Sequence, residues 1–266
     1  MSEMQAISGR TALLGIIGDP IEQARAPGLV NPVLEARGID AILVPMQVEA
    51  GRLGRAIDGL RAIDNFRGAI VTMPHKRAIM ALLDDISPEG MQASACNVLR
   101  RDGQGRLSGT MLDGEGFAAG LLGAGHAIRG KRVFLAGAGG AASAIAFALA
   151  RQGAAALTTH NRTQQKAAEL VGRIRAAHPN LEVSAGGPSP AGADIVVNAT
   201  SIGMKEGDGL PLDPSGLAPG MLAADVMSHR ETTAFLAEAA RRGCRTHPGL
   251  PMLERQIELM IDFMLA

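Results

Sequence analysis

The sequence contains no tryptophan and no tyrosine, and phenylalanine occurs only six times in 266 residues. Proteins that bind single-stranded nucleic acid commonly stack the bases on aromatic side chains, so this scarcity argues against that class. Positive and negative side chains balance, with 26 of each, and such a balance does not attract a polyanion or an anionic membrane surface. We therefore expect neither nucleic acid nor a membrane as a partner.

Long apolar runs and cysteines are scarce as well. No segment reaches the roughly 20 apolar residues of a membrane span, and residues 1–10 are polar, without the hydrophobic core of a signal peptide. Cys96 and Cys244 lie far apart in the sequence, and the six histidines are scattered, so we predict no metal site. Reduced thiols without a signal peptide predict a cytoplasmic protein.

Glycine, by contrast, is abundant, and three glycines within four residues mark the central motif of the chain. The apolar residues 132–136 predict a strand, Gly137-Ala138-Gly139-Gly140-Ala141-Ala142 a tight turn, and residues 143–151 a helix. This order is typical of dinucleotide binding, because Gly137 allows the turn and Gly139 lets the backbone approach a pyrophosphate. The N–H groups at the helix start then face the phosphates. A glycine loop with only a structural role is the alternative interpretation.

The strand predicted over residues 154–159 bears on which nicotinamide cofactor is bound. An NAD site usually has Asp or Glu about 20 residues after the glycines, where it accepts a hydrogen bond from the ribose 2′-hydroxyl. No acid occurs between Gly153 and Ala168, whereas Arg162 and Lys166 follow the strand. A guanidinium group binds a 2′-phosphate in a forked geometry, so the sequence predicts NADP (NADPH) rather than NAD. A solvated helix start is the alternative interpretation of these two cations.

Predicted strands and helices alternate along the first half of the chain, which favours an α/β fold with a mainly parallel sheet there, and further α/β elements follow. We predict an α/β substrate lobe over residues 1–112, completed by a helix in residues 250–266, and a Rossmann-type NADP-binding lobe over residues 113–249. A cleft between two such lobes is a preferred place for a substrate.

The predicted elements of the first lobe are strands over residues 11–17, 39–48 and 66–72, a hairpin over 96–110, and helices over 26–37, 50–63 and 76–83. Those that follow are helices over residues 114–122, 164–177, 232–242 and 252–264, and strands over 181–184, 194–199, 221–226 and 244–247.

Polar side chains stand at several of these strand ends, namely Thr72, Lys76, Asn97 and Asp113. Each has a plain structural interpretation: Thr72 favours a strand, Lys76 suits a solvated helix start, and Asn97 suits a turn. Asp113 suits a helix N-cap. Together with an NADP lobe, however, they supply an ammonium, a carboxylate and an amide where a substrate is expected.

Eight short motifs of this chain occur in a familiar order. They are Gly18-Asp19-Pro20-Ile21, Val71-Thr72-Met73-Pro74-His75-Lys76, Ala95-Cys96-Asn97-Val98-Leu99, Gly109-Thr110-Met111-Leu112-Asp113-Gly114-Glu115-Gly116-Phe117, the glycine turn 137–142, Asn161-Arg162-Thr163, Asn198-Ala199-Thr200-Ser201-Ile202-Gly203-Met204 and Gly249-Leu250-Pro251-Met252-Leu253-Glu254-Arg255-Gln256. With them the chain resembles the shikimate dehydrogenase family along nearly its whole length. The resemblance implies two α/β lobes, a last helix that returns to the first lobe, and reversible hydride transfer between a nicotinamide and a ring alcohol.

The resemblance also implies roles for individual residues. Lys76 and Asp113 match the catalytic pair, and Thr72, Asn97 and Gln256 match positions that bind the substrate ring. Positions matching or expected to contact the cofactor are Gly137, Ala138, Gly139, Gly140, Ala141, Asn161, Arg162, Thr163, Lys166, Thr200, Met204 and Gly249. The chemistry is consistent, because alcohol oxidation needs a base for the hydroxyl proton, and a lysine in a closed cleft loses its own proton more easily than in water.

The chain departs from the family pattern at the substrate. The family usually has Ser-x-Ser-Pro where this chain has Ala24-Arg25-Ala26-Pro27, and those serines hold the substrate carboxylate. Ile70 replaces an asparagine, Ser228 a tyrosine, and Met111-Leu112 an Asn-Thr pair. Losing two hydroxyl donors weakens binding of a carboxylate, although the positive charge of Arg25 offers partial compensation.

We therefore expect an NADP-dependent dehydrogenase that acts on the CH–OH group of a small shikimate-like or polyhydroxylated compound. A true shikimate dehydrogenase of the shikimate pathway and aromatic amino acid biosynthesis, with altered carboxylate recognition, is one alternative. A ligand-sensing homologue without turnover is another, but the presence of both Lys76 and Asp113 argues against it. We expect a monomer or a homodimer with a small-molecule substrate.

Overall fold

The computed structural model describes residues 7–205, 207–228 and 230–266. The chain divides into two compact units, one made of Met1–Leu112 with Gln256–Ala266 and the other of Asp113–Arg255. Each unit has its own six-stranded sheet with helices packed on it, so the predicted α/β fold class is confirmed. No helix in the described ranges is both long and apolar enough to cross a membrane.

The first unit begins with a strand and alternates strands with helices up to its hairpin. Its strands are β1 (Ala12–Gly18), β2 (Ala41–Gln47), β3 (Phe66–Val71), β4 (Asp85–Ile86), β5 (Val98–Arg101) and β6 (Leu107–Thr110). Its helices are α1 (Ala26–Ala36), α2 (Leu53–Arg61) and α3 (Pro88–Ala93), with 3₁₀ turns at Ala50–Arg52 and Ala78–Leu82.

The first sheet has the strand order β2-β1-β3-β5-β6-β4 and is mixed. Strand β1 pairs in parallel with β2 and β3, and β4 pairs in parallel with β6, whereas β3–β5 and β5–β6 are antiparallel. Three of the five strand pairs are parallel, so the prediction of a mainly parallel sheet holds except at the two antiparallel pairs that involve β5. The predicted hairpin itself is confirmed: Asp102 accepts hydrogen bonds from the N–H groups of Gln104 and Arg106, and strands joined by so short a turn are antiparallel.

The segment between β3 and β5 differs most from the prediction. Residues 76–83 form a turn and the short 3₁₀ segment Ala78–Leu82 rather than an α-helix. Strand β4 and helix α3 were not predicted. The start of α3 nevertheless has a sequence signal, because Ser87 caps it with its hydroxyl and Pro88 occupies the first helical position.

The second unit contains strands β7 (Arg132–Ala136), β8 (Ala156–His160), β9 (Glu182–Ala185), β10 (Ile195–Asn198), β11 (Leu222–Asp225) and β12 (Arg245–His247). Its helices are α4 (Asp113–Gly123), α5 (Gly140–Arg151), α6 (Gln164–Ala177) and α7 (Ala234–Arg241). The last helix, α8 (Leu250–Leu265), begins in this unit and ends in the first.

All neighbouring strands of the second sheet are parallel, in the order β12-β11-β10-β7-β8-β9. This is the doubly wound order of a Rossmann fold, in which successive strands are added first on one side of β7 and then, from β10 onward, on its other side. Ligands of such sheets bind beyond the carboxyl ends of the strands at that reversal. The glycine turn after β7 and the loop after β10 both lie there.

The carboxyl-terminal part of α8 packs into the core of the first unit. Ile257, Ile261 and Met264 are buried in one cluster with Leu14 of β1 and Val30 of α1. This packing confirms the predicted return of the last helix to the first lobe.

Candidate active site

The turn after β7 has a backbone that only glycine tolerates at its first position. Gly137 has φ +121°, and a Cβ placed on it would lie 2.7 Å from the carbonyl oxygen of Ala199 and 3.3 Å from the Cβ of Ala142. Its N–H donates to the carbonyl oxygen of His160 at 2.7 Å. The turn is therefore held between the ends of β8 and β10.

Gly139 differs from Gly137, because it faces open space. It is exposed, and a Cβ on it would meet no described atom within 4 Å. It is also the N-cap of α5 and has no side chain to satisfy the first N–H groups of that helix. Together with Gly140 and Ala141, it leaves a helix start that can accept a phosphate on its backbone. The residues present thus fit the dinucleotide predicted from sequence.

The start of α6 carries the two predicted cations. Arg162 and Lys166 are exposed, and the first turn of α6 contains no acidic residue. Thr163 is the N-cap without a side-chain cap bond, and the amide of Asn161 donates to its carbonyl oxygen at 2.9 Å. Two exposed cations and the uncapped N–H groups of a helix start attract a phosphate, and no carboxylate in the first turn opposes its binding.

The loop after β10 is held by hydrogen bonds at both ends. At its start, the Asn198 side-chain oxygen accepts from the N–H and the hydroxyl of Thr200, at 3.1 and 2.8 Å. Further along, the Asp208 carboxylate accepts from the N–H groups of Gly203 and Lys205 at 2.9 and 3.0 Å. These backbone bonds hold the pKa of Asp208 below its usual range. Met204 lies within the segment that Asp208 fixes.

Behind this loop lies a charged residue that the sequence did not single out. Asp225 ends β11, is fully buried, and pairs in register with Asn198 of β10. Burial raises the pKa of its carboxyl, while hydrogen bonds from Thr233, Met227 and Asn198 act in the opposite direction. The sequence signal that could have identified it is an aspartate directly after the apolar residues 221–224.

Gly249 is the last predicted cofactor position along the chain. It follows β12 and is buried, and a Cβ on it would lie 2.6 Å from the carbonyl group of Met227 and from the carbonyl carbon of Val226. Only glycine therefore fits between the end of β11 and the start of α8.

In the first unit, Thr72 follows directly from the carboxyl end of β3. The N–H of Thr72 donates to the carbonyl oxygen of Ile17 in β1 at 2.9 Å, and a Cβ on Gly18 would lie 2.5 Å from the methyl group of Thr72. Buried His75 bonds through Nε2 to the carbonyl oxygen of Val48 at 2.6 Å. The segment that contains Thr72 and Lys76 is thus fixed against the ends of two neighbouring strands.

Lys76 and Asn97 belong to adjacent segments of this unit. The carbonyl oxygen of Lys76 accepts from the N–H of Cys96 at 2.8 Å, and the half-buried side chain of Lys76 follows the turn after β3. Asn97 is 1% exposed and accepts from the N–H of Leu112 at 2.8 Å. Its amide donates to the side-chain oxygen of Gln256 at 3.5 Å. The structure therefore brings Asn97 and Gln256 together.

Asp113 begins α4 and is 3% exposed. By the division of the chain it opens the second unit, whereas Lys76 belongs to the first. The pairing of these two side chains in catalysis stays a prediction.

The start of α1, where the family pattern has serines, offers no hydroxyl. Ala26 is buried and Ala24 half-buried, and the N-cap residue Arg25 makes no side-chain cap bond. Arg25 itself is exposed. The side chains at this position are therefore two methyl groups and one cation.

Comparison with known proteins agrees with this arrangement. A model described as the shikimate dehydrogenase substrate binding domain matches residues 16–99, and a model described as shikimate / quinate 5-dehydrogenase matches residues 121–204. A shikimate dehydrogenase (NADP(+)) of Moorella thermoacetica is 38% identical, over 94% of this chain and 86% of the relative. The chain belongs to the shikimate dehydrogenase family. Its fold and its eight motifs are those expected of a member.

Two solved structures of similar fold carry different names. A shikimate 5-dehydrogenase from Thermus thermophilus, in complex with NADP(H) and shikimate, has a TM-score of 0.86 and 29% identity, covering 96% of this chain and 93% of that one. The 5-ketofructose reductase of Gluconobacter sp. strain CHM43 has a TM-score of 0.83 and 33% identity, covering 97% and 94%. The second of these is named for a keto-sugar rather than a carboxylic acid.

Proposed function

We propose that this chain catalyses reversible hydride transfer between NADP and a hydroxyl or ketone of a small shikimate-like compound. The observation that carries the proposal is the uncapped glycine turn at the reversal point of a doubly wound sheet, in a chain of the shikimate dehydrogenase family. NADP, when bound, supplies or accepts the hydride. The protein's own residues have to bind and orient the substrate and to move one proton.

Lys76 is the residue we propose for the proton. When the alcohol is oxidised, its amine takes the hydroxyl proton, and when the ketone is reduced, its ammonium returns that proton. Asp113 aligns the ammonium and accepts from a substrate hydroxyl. Thr72, Asn97 and Gln256 bind the remaining ring hydroxyls, and the buried bond between Asn97 and Gln256 supports a fixed orientation of both amides.

We further propose that the substrate is held without the usual carboxylate contacts. Two alanines stand where the family pattern has serines, and an unpaired carboxylate loses affinity at such an apolar wall. The likeness to a 5-ketofructose reductase supports a polyhydroxylated substrate that lacks a carboxylate. The second candidate is a true shikimate dehydrogenase that reduces 3-dehydroshikimate, and the curated relatives favour it.

A panel of substrates distinguishes the two. We expect NADP-dependent oxidation of a carboxylate-free ring diol, or reduction of 5-ketofructose, with a higher kcat/KM than that for shikimate or quinate. A kcat/KM for shikimate at least as high as that for the carboxylate-free compounds would establish the second candidate instead. No NADP-linked turnover of any compound on the panel would count against the enzyme proposal itself.

A double variant makes the test sharper. Ala24→Ser with Ala26→Ser restores the two hydroxyls, and we expect kcat/KM for shikimate to rise about tenfold or more while that for the diol stays unchanged. Ala36→Ser, at the exposed far end of the same helix, is the matched control. Equal kcat/KM values for shikimate in the double variant and the control would show that these positions do not face the substrate.

A cytoplasmic location and a monomeric or homodimeric state also remain part of the proposal. Size-exclusion chromatography with light scattering tests the second of these.

A further inference from the structure

Strand β2 lies at one edge of the first sheet and differs from the other edge strands of the two sheets. It is seven residues long and has no charged side chain from Ala41 to Gln47. The edge strands β4, β9 and β12 have two, four and three residues and contain Asp85, Glu182 and Arg245, respectively. An edge strand offers unpaired N–H and C=O groups to any further strand, and short length and charge are usual protections. Strand β2 has neither of these two protections.

The hydrogen bonds at the two ends of β2 show which of its residues face away from the sheet. The carbonyl oxygen of Asp40 and the N–H of Val48 both bond to β1, at 2.9 and 3.0 Å. The N–H and C=O of one residue lie on the same side of a strand, and the sides alternate along it. Even-numbered residues therefore face β1, and Ala41, Leu43 and Pro45 face outward.

The middle of this outward edge is covered by a side chain of helix α1. The side-chain oxygen of Asn31 accepts from the N–H of Leu43 at 2.8 Å, and its NH₂ group donates to the carbonyl oxygen of Leu43 at 3.1 Å. Asn31 thus occupies both polar groups through which Leu43 could bond to a neighbouring strand.

The outward residues on either side of Leu43 offer no open donor. The N–H of Ala41 donates to the carbonyl oxygen of Ile39 at 2.8 Å, and Pro45 has no N–H. From residue 41 to residue 45, every outward N–H is therefore occupied or missing. The peptide groups of Leu43 are the place where a new strand would have to begin pairing.

We propose that Asn31 closes the β2 edge against a second copy of this chain, which would otherwise add its own β2 in antiparallel orientation. With a two-fold axis at Leu43, this residue faces its own copy, and the two exchange both hydrogen bonds. The half-buried side chains of Ile42 and Val44 then lie opposite those of the copy. The identical chain fits such an edge because the same donor and acceptor serve on both sides of the axis.

The variant Asn31→Leu tests the proposal, because leucine keeps the size of the side chain but can neither accept from nor donate to Leu43. Size-exclusion chromatography with light scattering measures the weight-average mass over a series of protein concentrations. We expect the mass of the variant to rise with concentration to about twice that of the wild type. A mass equal to that of the wild type at every concentration would overturn the proposal.

Asn65→Leu is the matched control. The Asn65 amide also donates to a backbone carbonyl oxygen of the first unit, that of Thr11, at 3.1 Å. The control therefore loses a similar bond and gains the same apolar side chain away from β2, and we expect its mass to stay at the wild-type value. An equal rise in both variants would show non-specific adhesion and would also overturn the proposal.

A change at Pro45 separates strand pairing from association through partial unfolding. Pro45→Val gives the edge a further outward N–H, but we expect no change of mass while Asn31 still covers Leu43. Combined with Asn31→Leu, it should let the doubled mass appear at about tenfold lower protein concentration, the effect of added hydrogen bonds between the copies. A double variant that associates no more tightly than Asn31→Leu would contradict pairing through this edge.

Should Asn31→Leu fail to fold, Asn31→Ala uncovers the same edge with a smaller side chain. Hydrogen exchange of the peptide that contains Leu43 is then measured in dilute and in concentrated protein. We expect its protection to fall in dilute protein and to return in concentrated protein, and low protection in both would overturn the proposal. Neither Asn31 nor Leu43 is among the residues proposed for catalysis or cofactor binding, so the result does not depend on the proposed function.

Discussion

The two units differ in the kind of atom that faces their proposed ligands. In the second unit the proposed cofactor contacts are largely main chain, at Gly137, at Gly139 and at the first N–H groups of α5. In the first unit the proposed contacts are all side chains, with the amide of Asn97 and the amine of Lys76 among them. Main-chain contacts to a ligand persist through most substitutions if the glycines are kept. A side-chain contact is lost when its residue is replaced, and the ligand preference can change with it.

Most departures from the family pattern lie in the first unit, and Ser228 is the exception in the second. Ala24 and Ala26 stand where the family pattern has two serines, while the glycine turn of the second unit keeps the family pattern. We infer that the substrate can change within this family without a change of cofactor. The expectations below test that separation, from the largest effect to the smallest.

The largest effect is expected from Lys76→Ala in the first unit. Removing the proton-transfer group should lower kcat by about 10³-fold, within the usual range for a general acid or base, and should leave the dissociation constant of NADPH unchanged. Initial rates and NADPH fluorescence titrations measure the two quantities. Arg77→Ala, an exposed neighbour, is the control, and near-wild-type kcat in Lys76→Ala would remove the basis for the catalytic assignment.

A pair of glycine variants tests the backbone cradle of the second unit. Gly137→Ala should lower the free energy of unfolding by about 1–3 kcal/mol, because its positive φ and the nearby Ala199 carbonyl exclude a Cβ. Gly139→Ala should leave stability nearly unchanged but weaken NADPH binding, because its Cβ points into open space where the pyrophosphate is proposed. Circular dichroism melts and NADPH titrations separate the two, and equal stability losses would contradict the different roles.

A smaller effect is expected from Arg162→Ala at the start of α6. Loss of a charge-assisted bond to the 2′-phosphate should lower kcat/KM for NADP by about 10–100-fold, while kcat/KM for NAD stays unchanged. Lys166→Ala should have a weaker effect in the same direction, and Gln165→Ala none. A drop of equal size for both cofactors would mean that Arg162 does not distinguish them.

The smallest effect concerns the stability of the second unit in acid. His247 is 3% exposed and lies edge-to-face with His126 at 5.4 Å, and burial, followed by the charge of His126, lowers its pKa to about 4. Burial and the charge of Arg245 also lower the pKa of His126. Because the unfolded chain binds the proton near pH 6.5 and the folded chain only near pH 4, stability falls as the pH drops through that interval.

Between pH 7 and pH 5 we expect the free energy of unfolding to fall by about 1–2 kcal/mol from His247. Urea unfolding followed by circular dichroism measures it, since the chain has no tryptophan or tyrosine for fluorescence. His247→Gln should flatten this part of the pH dependence. An unchanged slope in the variant would show that other groups cause the acid sensitivity.

What the sequence determined by itself was local. The strand, glycine turn and helix of residues 132–151, the helix Gln164–Ala177 and the cations after β8 follow from periodicity, backbone freedom and charge within short windows. Those properties belong to neighbouring residues, so a linear pattern reveals them. The order of motifs added the family, and with it the proposed roles of Lys76 and Asp113.

What only the tertiary structure decided depends on residues far apart in the chain. The mixed pairing of the first sheet depends on which strands become neighbours, and Asn97 meets Gln256 across 159 positions of sequence. The burial of Asp225 and its register with Asn198 arise when β10 and β11 become neighbours. A buried carboxyl group needs hydrogen-bond partners, but the sequence does not say which residues supply them, because the packing of the strands decides that.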